Sequence, residues 1–136
     1  HGRRGVQCCG CILRCEGLPT WGVISDTKPL DYLPARYRDC SYISINATFP
    51  DKKPRLQHMS MADVGELLQK LHPKLATIAH MGAMLIEAGP EKYAAGIATP
   101  QTRVLAGVDG MVIDLETLAV YVPEPLPKIK TRYSIG

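Results

Sequence analysis

The 136-residue sequence has no apolar stretch approaching the ~20 residues of a transmembrane helix. No part of it therefore reads as a bilayer-spanning segment. A strong charge of either sign is also missing. Sixteen Lys and Arg stand against thirteen Asp and Glu, for a net charge of +3. That balance is too weak to define a nucleic-acid surface, and its densest basic spot is Lys128, Lys130 and Arg132 near the end. No secretory leader is expected at the start of this sequence, since Gly2, Arg3 and Arg4 run into a cysteine-rich segment and not an apolar helix. There is no initiator Met, which suggests a trimmed or partial chain. Gly82, Gly89 and Gly96 do not form a phosphate loop.

Cysteine spacing excludes more. Of five cysteines, Cys8, Cys9, Cys11 and Cys15 crowd into one short segment. They lack the paired C-x₂-C spacing of a zinc ribbon. On a strand, Cys9, Cys11 and Cys15 would face one way and Cys8 the other, so four sulfurs cannot readily converge on one ion. They read as small apolar residues in a packed hairpin, and Cys40 reads as core. An odd, tightly spaced set also argues against a secreted disulfide framework and for a reducing, cytoplasmic setting. The four histidines include no His-x-His pair.

What is present suits one globular domain with a real core: 46% hydrophobic and 21% charged residues. Residues 8–15 read as a strand, 16–20 as a turn and 21–25 as the return strand of a hairpin. Residues 29–38 suggest a short irregular helix, interrupted at Pro34. The β-branched and aromatic run 41–47 predicts a central strand. Ser60 is a good N-cap with Asp63 three residues on, and Met61, Val64, Leu67, Leu68 and Leu71 form one apolar stripe ending at His72-Pro73. His72 sits where it complements a helix dipole and reads as structural. Residues 75–79 predict a buried strand and 90–98 a second helix opened by Pro90. Strands are expected at 103–108 and 111–115, joined as a hairpin through Asp109-Gly110. After Leu118, Val122-Pro-Glu-Pro-Leu-Pro127 favours extended structure, so 119–136 reads as a Pro-rich tail. Alternating strands and helices predict an α/β domain whose sheet is covered on at least one face.

Asp26 and His80 each follow one of these strands. An acid and an imidazole at the carboxyl ends of neighbouring strands lie where α/β proteins keep their chemistry. Both are ordinary ligands of a hydrolytic metal ion.

In order, the elements resemble the carboxy-terminal half of a metallo-β-lactamase-fold hydrolase. Ser25-Asp26-Thr27 after a hairpin strand resembles that family's metal-bridging aspartate. Ser44-Ile-Asn-Ala-Thr48 resembles the next strand, and His58-Met-Ser60 resembles the His-x-Ser start of a helix. Pro73 to His80 resembles the strand delivering the last metal-binding histidine, and 104–115 the closing hairpin. The resemblance covers residues 1–118. It implies half of a four-layer αββα sandwich, with a mixed sheet and helices on one face. It implies a metal set of His1, Asp26 and His80, with Asp26 bridging two ions and His58 beside the site to hold the scissile group or pass a proton to the leaving group. Zinc is the default metal, with manganese or iron as alternatives. Metal-bound water ionises near neutral pH and supplies the nucleophile for an ester-type bond. A phosphodiester or small ester is expected before a β-lactam, because antibiotic-cleaving members are typically secreted.

The family's His-x-His-x-Asp-His motif is absent, so the resemblance also implies an amino-terminal half from a separate chain or an omitted segment, and hence an oligomer. The alternative is a non-catalytic half-domain acting as an interaction or scaffold subunit. Nucleic-acid binding is a third and weakly supported class.

Overall fold

The computed structural model describes residues 8–124. His1 and residues 125–136, including the basic spot at 128–132, lie outside the described residues. The elements are β1 (Cys11–Leu13), β2 (Trp21–Ile24), α1 (Leu33–Tyr37), β3 (Tyr42–Asn46), α2 (Met61–Leu71), β4 (Leu75–Ala79), α3 (Ala83–Ala88), α4 (Pro90–Ile97), β5 (Arg103–Ala106), β6 (Val112–Ile113) and β7 (Val120–Tyr121).

Five strands make one mixed sheet in the order β1-β2-β3-β4-β5. β1 runs antiparallel to β2, as a hairpin predicts, and β2 through β5 are parallel. Every β2-to-β5 carboxyl end therefore opens at the same end of the sheet.

The register aligns Ile43 with Gly22 and Ala76, and Ile45 with Ile24 and Ile78. Side chains alternate along a strand, so these residues share one face. They join Val64, Leu67, Leu68 and Leu71 of α2 and Ala94 of α4 in a single apolar core. The helices thus cover one face, as the resemblance implies. α2 starts where expected because Ser60 and Asp63 form a reciprocal capping box. The Asp63 N–H donates to Ser60 Oγ at 3.2 Å, and the Ser60 N–H donates to Asp63 Oδ2 at 2.9 Å. It ends at His72, whose left-handed backbone (φ 49°) lets its N–H donate to the Leu68 carbonyl.

The other face is different in kind. Trp21 stacks on Tyr42, with ring centroids 5.6 Å apart. Trp21 Nε1–H donates to Ser44 Oγ at 3.1 Å, the Ser44 hydroxyl donates to Tyr42 Oη at 2.8 Å, and Tyr42 Oη lies 2.8 Å from Thr77 Oγ1.

Three local expectations change. The Asp109-Gly110 turn does not join a paired hairpin: β5 pairs with β4, while β6 pairs antiparallel with β7. β6 turns back on β7 instead because Asp114 Oδ1 accepts from the Glu116 and Thr117 N–H groups and the Asp114 N–H donates to the Ala119 carbonyl, closing a tight turn. Part of 119–136 is thereby strand, since β7 falls within it. Cys8, Cys9, Cys11 and Cys15 are exposed and not packed, because the strand is only three residues long at the sheet edge: Cys11 alone lies in it and the other three flank it. Cys40 is buried, as expected.

Candidate functional site

Asp26 lies two residues beyond β2 and His80 directly follows β4. The expectation that they end neighbouring strands fails, because β3 lies between β2 and β4. They nevertheless converge. His80 Nδ1 is 4.0 Å from Asp26 Oδ1. The backbone at His80 is left-handed (φ 52°), a costly conformation for a residue with a Cβ and one found disproportionately at functional sites. Gly82, just beyond, keeps this turn tight. Its N–H donates to the Thr48 carbonyl at 3.2 Å, and a Cβ there would lie 2.7 Å from that oxygen. The φ at Gly82 is an ordinary −74°, so the glycine serves close approach and not an unusual turn.

His58 arrives from the far side of a long loop. After β3 the chain leaves at Phe49 and returns beside its own path. The Thr48 N–H donates to the Met59 carbonyl at 2.9 Å, and the Met61 N–H donates to Phe49 O at 2.8 Å. Met59, Ser60 and Met61 are buried, which pins the return. His58, one residue earlier, meets the end of β2. Its Nδ1 is 2.5 Å from Asp26 Oδ1. A carboxylate only accepts, so Nδ1–H donates and Nε2 is not used by this bond. Phe49 packs edge-on to the ring at 6.3 Å between centroids. The His58, Asp26 and His80 side chains are 37%, 28% and 58% exposed, so all three are open to an incoming group.

The structure thus brings together Asp26, His58 and His80, while His1 lies outside the described residues. Imidazole and carboxylate donors suit zinc-type ions in kind. In number they fall short: among the described residues no group of three or more His, Cys, Asp or Glu is arranged to hold a metal ion. His58 and Asp26 are therefore hydrogen-bonded to each other within this set. One more polar atom at this end of the sheet is unsatisfied, since Thr48 Oγ1 is buried with no hydrogen-bond partner.

Sequence reasoning overlooked the lysines around His58. Lys52 lies 2.5 Å from Glu66 and 3.8 Å from Asp63, tying the loop to α2. The Glu66 hydrogen bond, followed by the charges of Glu66 and Asp63, raises the Lys52 ammonium above its ordinary range. The two prolines of Pro50-Asp-Lys-Lys-Pro54 mark that run as a loop. Its position, ending four residues before His58, was the available signal.

No protein-family model matches the sequence, and no curated protein matches it. Solved structures do. One is the metallo-beta-lactamase fold protein YhfI from Bacillus subtilis, at 14% identity and a TM-score of 0.57, covering 68% of this chain and 39% of that one. Another is described as a new diphosphatase from the PhnP family, at 12% identity and a TM-score of 0.48, covering 68% of this chain and 42% of that one. The likeness to YhfI is one of fold: this chain has the architecture of part of a metallo-β-lactamase fold. It spans less than half the length of either structure. Among the described residues no helix is long and apolar enough to cross a membrane.

Proposed function

We propose that this chain is the carboxy-terminal half, residues 1–118, of a metal-dependent hydrolase of the metallo-β-lactamase fold, acting on an ester-type bond such as a phosphodiester or small ester. The observation that carries the reading is the convergence of Asp26, His58 and His80 at the carboxyl end of the parallel strands, from three separate segments. Asp26 and His80, with His1, hold the metal. Zinc is the expected ion, with manganese or iron as alternatives. When bound, it would supply Lewis acidity and a hydroxide nucleophile near neutral pH. His58 holds Asp26 through Nδ1–H and uses Nε2 toward the substrate. In its protonated form Nε2–H donates to the leaving oxygen. The remaining ligands come from an amino-terminal half of the fold, on another chain or another segment, in a cytoplasmic assembly.

The test is zinc affinity and bis(p-nitrophenyl) phosphate hydrolysis of the native particle that holds both halves of the fold, with circular dichroism as a control for folding. Asp26→Ala is expected to abolish both zinc binding and hydrolysis while the fold persists. His58→Ala removes an outer-shell partner and is expected to weaken zinc binding roughly 10–100-fold. Variants that change stability but leave zinc binding untouched would sink the proposal.

One observation favours a second reading, a non-catalytic half-domain serving as an interaction subunit: the described residues alone make no three-ligand set. Native mass spectrometry separates the two. A larger particle carrying transition metal supports the hydrolase, whereas a metal-free particle supports the interaction subunit.

A further inference from the structure

His58 also lines a second feature, a cleft of about 300 Å³ walled by Lys28, Lys52, Lys53, Pro29, Pro54 and Leu56. That volume lies at the lower end of the roughly 300–1,000 Å³ of small-molecule sites. Its charge is one-sided, with three ammonium groups against the single carboxylate of Asp63. Asp63 is already committed. It accepts from the Ser60 N–H at 2.9 Å and from the Ser60 hydroxyl at 2.7 Å, and Lys52 lies 3.8 Å away. Lys52 in turn is held by Glu66. Lys28 and Lys53 have no carboxylate within ion-pair distance among the described residues. The cleft therefore offers two unspent ammonium groups beside an imidazole, over a wall of proline and leucine.

We propose that this cleft is the anion subsite of the enzyme and takes a small organophosphate, with phosphoryl oxygens on Lys28 and Lys53 and an apolar substituent on Pro29, Pro54 and Leu56. The assignment rests on the hydrolase reading, and it names the substrate class for that reading. Each ammonium acts as a point charge on the phosphate, and such charge-assisted bonds are stronger than neutral ones. The apolar wall adds affinity for an organic substituent and selects against bare phosphate. His58 borders both the cleft and Asp26, so a phosphate seated here is next to the carboxylate end of the site.

The experiment is a ¹H–¹⁵N NMR titration of the 136-residue chain with phenyl phosphate and with inorganic phosphate, in the presence of a chelator. Phenyl phosphate is expected to bind more tightly, to shift amides at residues 28–29 and 52–58, and to weaken as salt rises. The double variant Lys28→Gln/Lys53→Gln is expected to bind about tenfold more weakly. Arg103→Gln, on the edge strand β5, is expected to bind like the parent. Shifts confined to other residues, or a double variant that titrates like the parent, would overturn the subsite. Zinc binding by the same proteins keeps the two ideas apart. Lysine-dependent phenyl phosphate binding by a chain whose native particle carries no transition metal leaves the anion site standing and removes the metal-dependent reading. Zinc binding without the lysine effect does the reverse.

Discussion

The two faces of the central sheet are built on different physics. Toward the helices lie Ile24, Ile43, Ile45, Ala76, Ile78 and Val104, aliphatic and no more than 5% exposed. Away from them lie Trp21, Tyr42, Ser44 and Thr77, joined through hydroxyls and an indole N–H. The first face gains its stability from apolar area removed from water, which is non-directional. The second orients its groups by hydrogen bonds, whose net contribution is smaller but whose geometry is specific. A sheet with one sealed face and one polar-aromatic face suits a layer that a second sheet completes, in keeping with the αββα architecture.

The largest expected effect is on the sealed face. Ile45→Ala empties a fully buried site between the sheet and α2, and should cost about 2–5 kcal/mol in urea denaturation. Tyr42→Phe on the other face should cost only about 1 kcal/mol. Ser44 Oγ and Thr77 Oγ1 are already 3.4 Å apart and can partner each other once the phenol oxygen is gone. Equal losses from the two changes would erase the distinction between the faces.

Thiol chemistry and alkali sharpen it next. Cys40 packs close under Gly22 on the helix side, whereas Cys11 pairs opposite Val23 on the edge and is exposed. Ellman's reagent should modify Cys8, Cys9, Cys11 and Cys15 in the folded chain and reach Cys40 only on unfolding. Burial pushes the Cys40 thiol up from its ordinary value of 9.0. Burial, then the neighbouring charges of Cys11 and Cys40, pushes the Tyr37 phenol up from 10.0. Both groups ionise in the unfolded chain before the folded one. Their contribution is thus complete below about pH 9 and is lost as pH rises through the raised folded values. Denaturation midpoints should fall through this range, and less steeply in Cys40→Ala. A flat alkaline profile would contradict the burial argument.

Some of this was readable from local sequence, and the limit has a physical cause. The capping box at Ser60 and Asp63, helix 61–71 and strand 75–79 depend on neighbours in the chain, and they stand where the pattern put them. α3 was missed: it is six residues long, lies between Gly82 and Gly89, and has no side-chain cap. Strand order is not local. The Asp-Gly turn at 109–110 signals a hairpin, yet nothing near it reveals that β5 belongs to β4. At the site, Asp26 and His80 were legible as strand-end residues, and β3 as a strand, but its place between theirs was not. The His58–Asp26 bond joins residues 32 apart, and no periodicity encodes it. The lysine cleft escaped notice because it is assembled from the Lys28 turn and the 52–58 loop only after the chain folds back.

The smallest expected effect separates strain kept for chemistry from strain kept for folding. His72 and His80 both have left-handed backbones, at φ 49° and 52°. His72 occupies a helix C-cap, a place where that conformation is common and closes the last turn. His80 leaves β4 at the open end of the sheet, where its ring lies 4.0 Å from Asp26. Glycine adopts this backbone without a Cβ penalty, so His72→Gly and His80→Gly should each raise stability by about 0.5 kcal/mol. Their consequences for metal should diverge. Zinc affinity should survive His72→Gly and collapse in His80→Gly, measured by competition with a chromogenic chelator. If both variants keep zinc, the His80 conformation belongs to the turn before α3 and not to a ligand, and the strained end of the sheet is a structural corner like the one at His72.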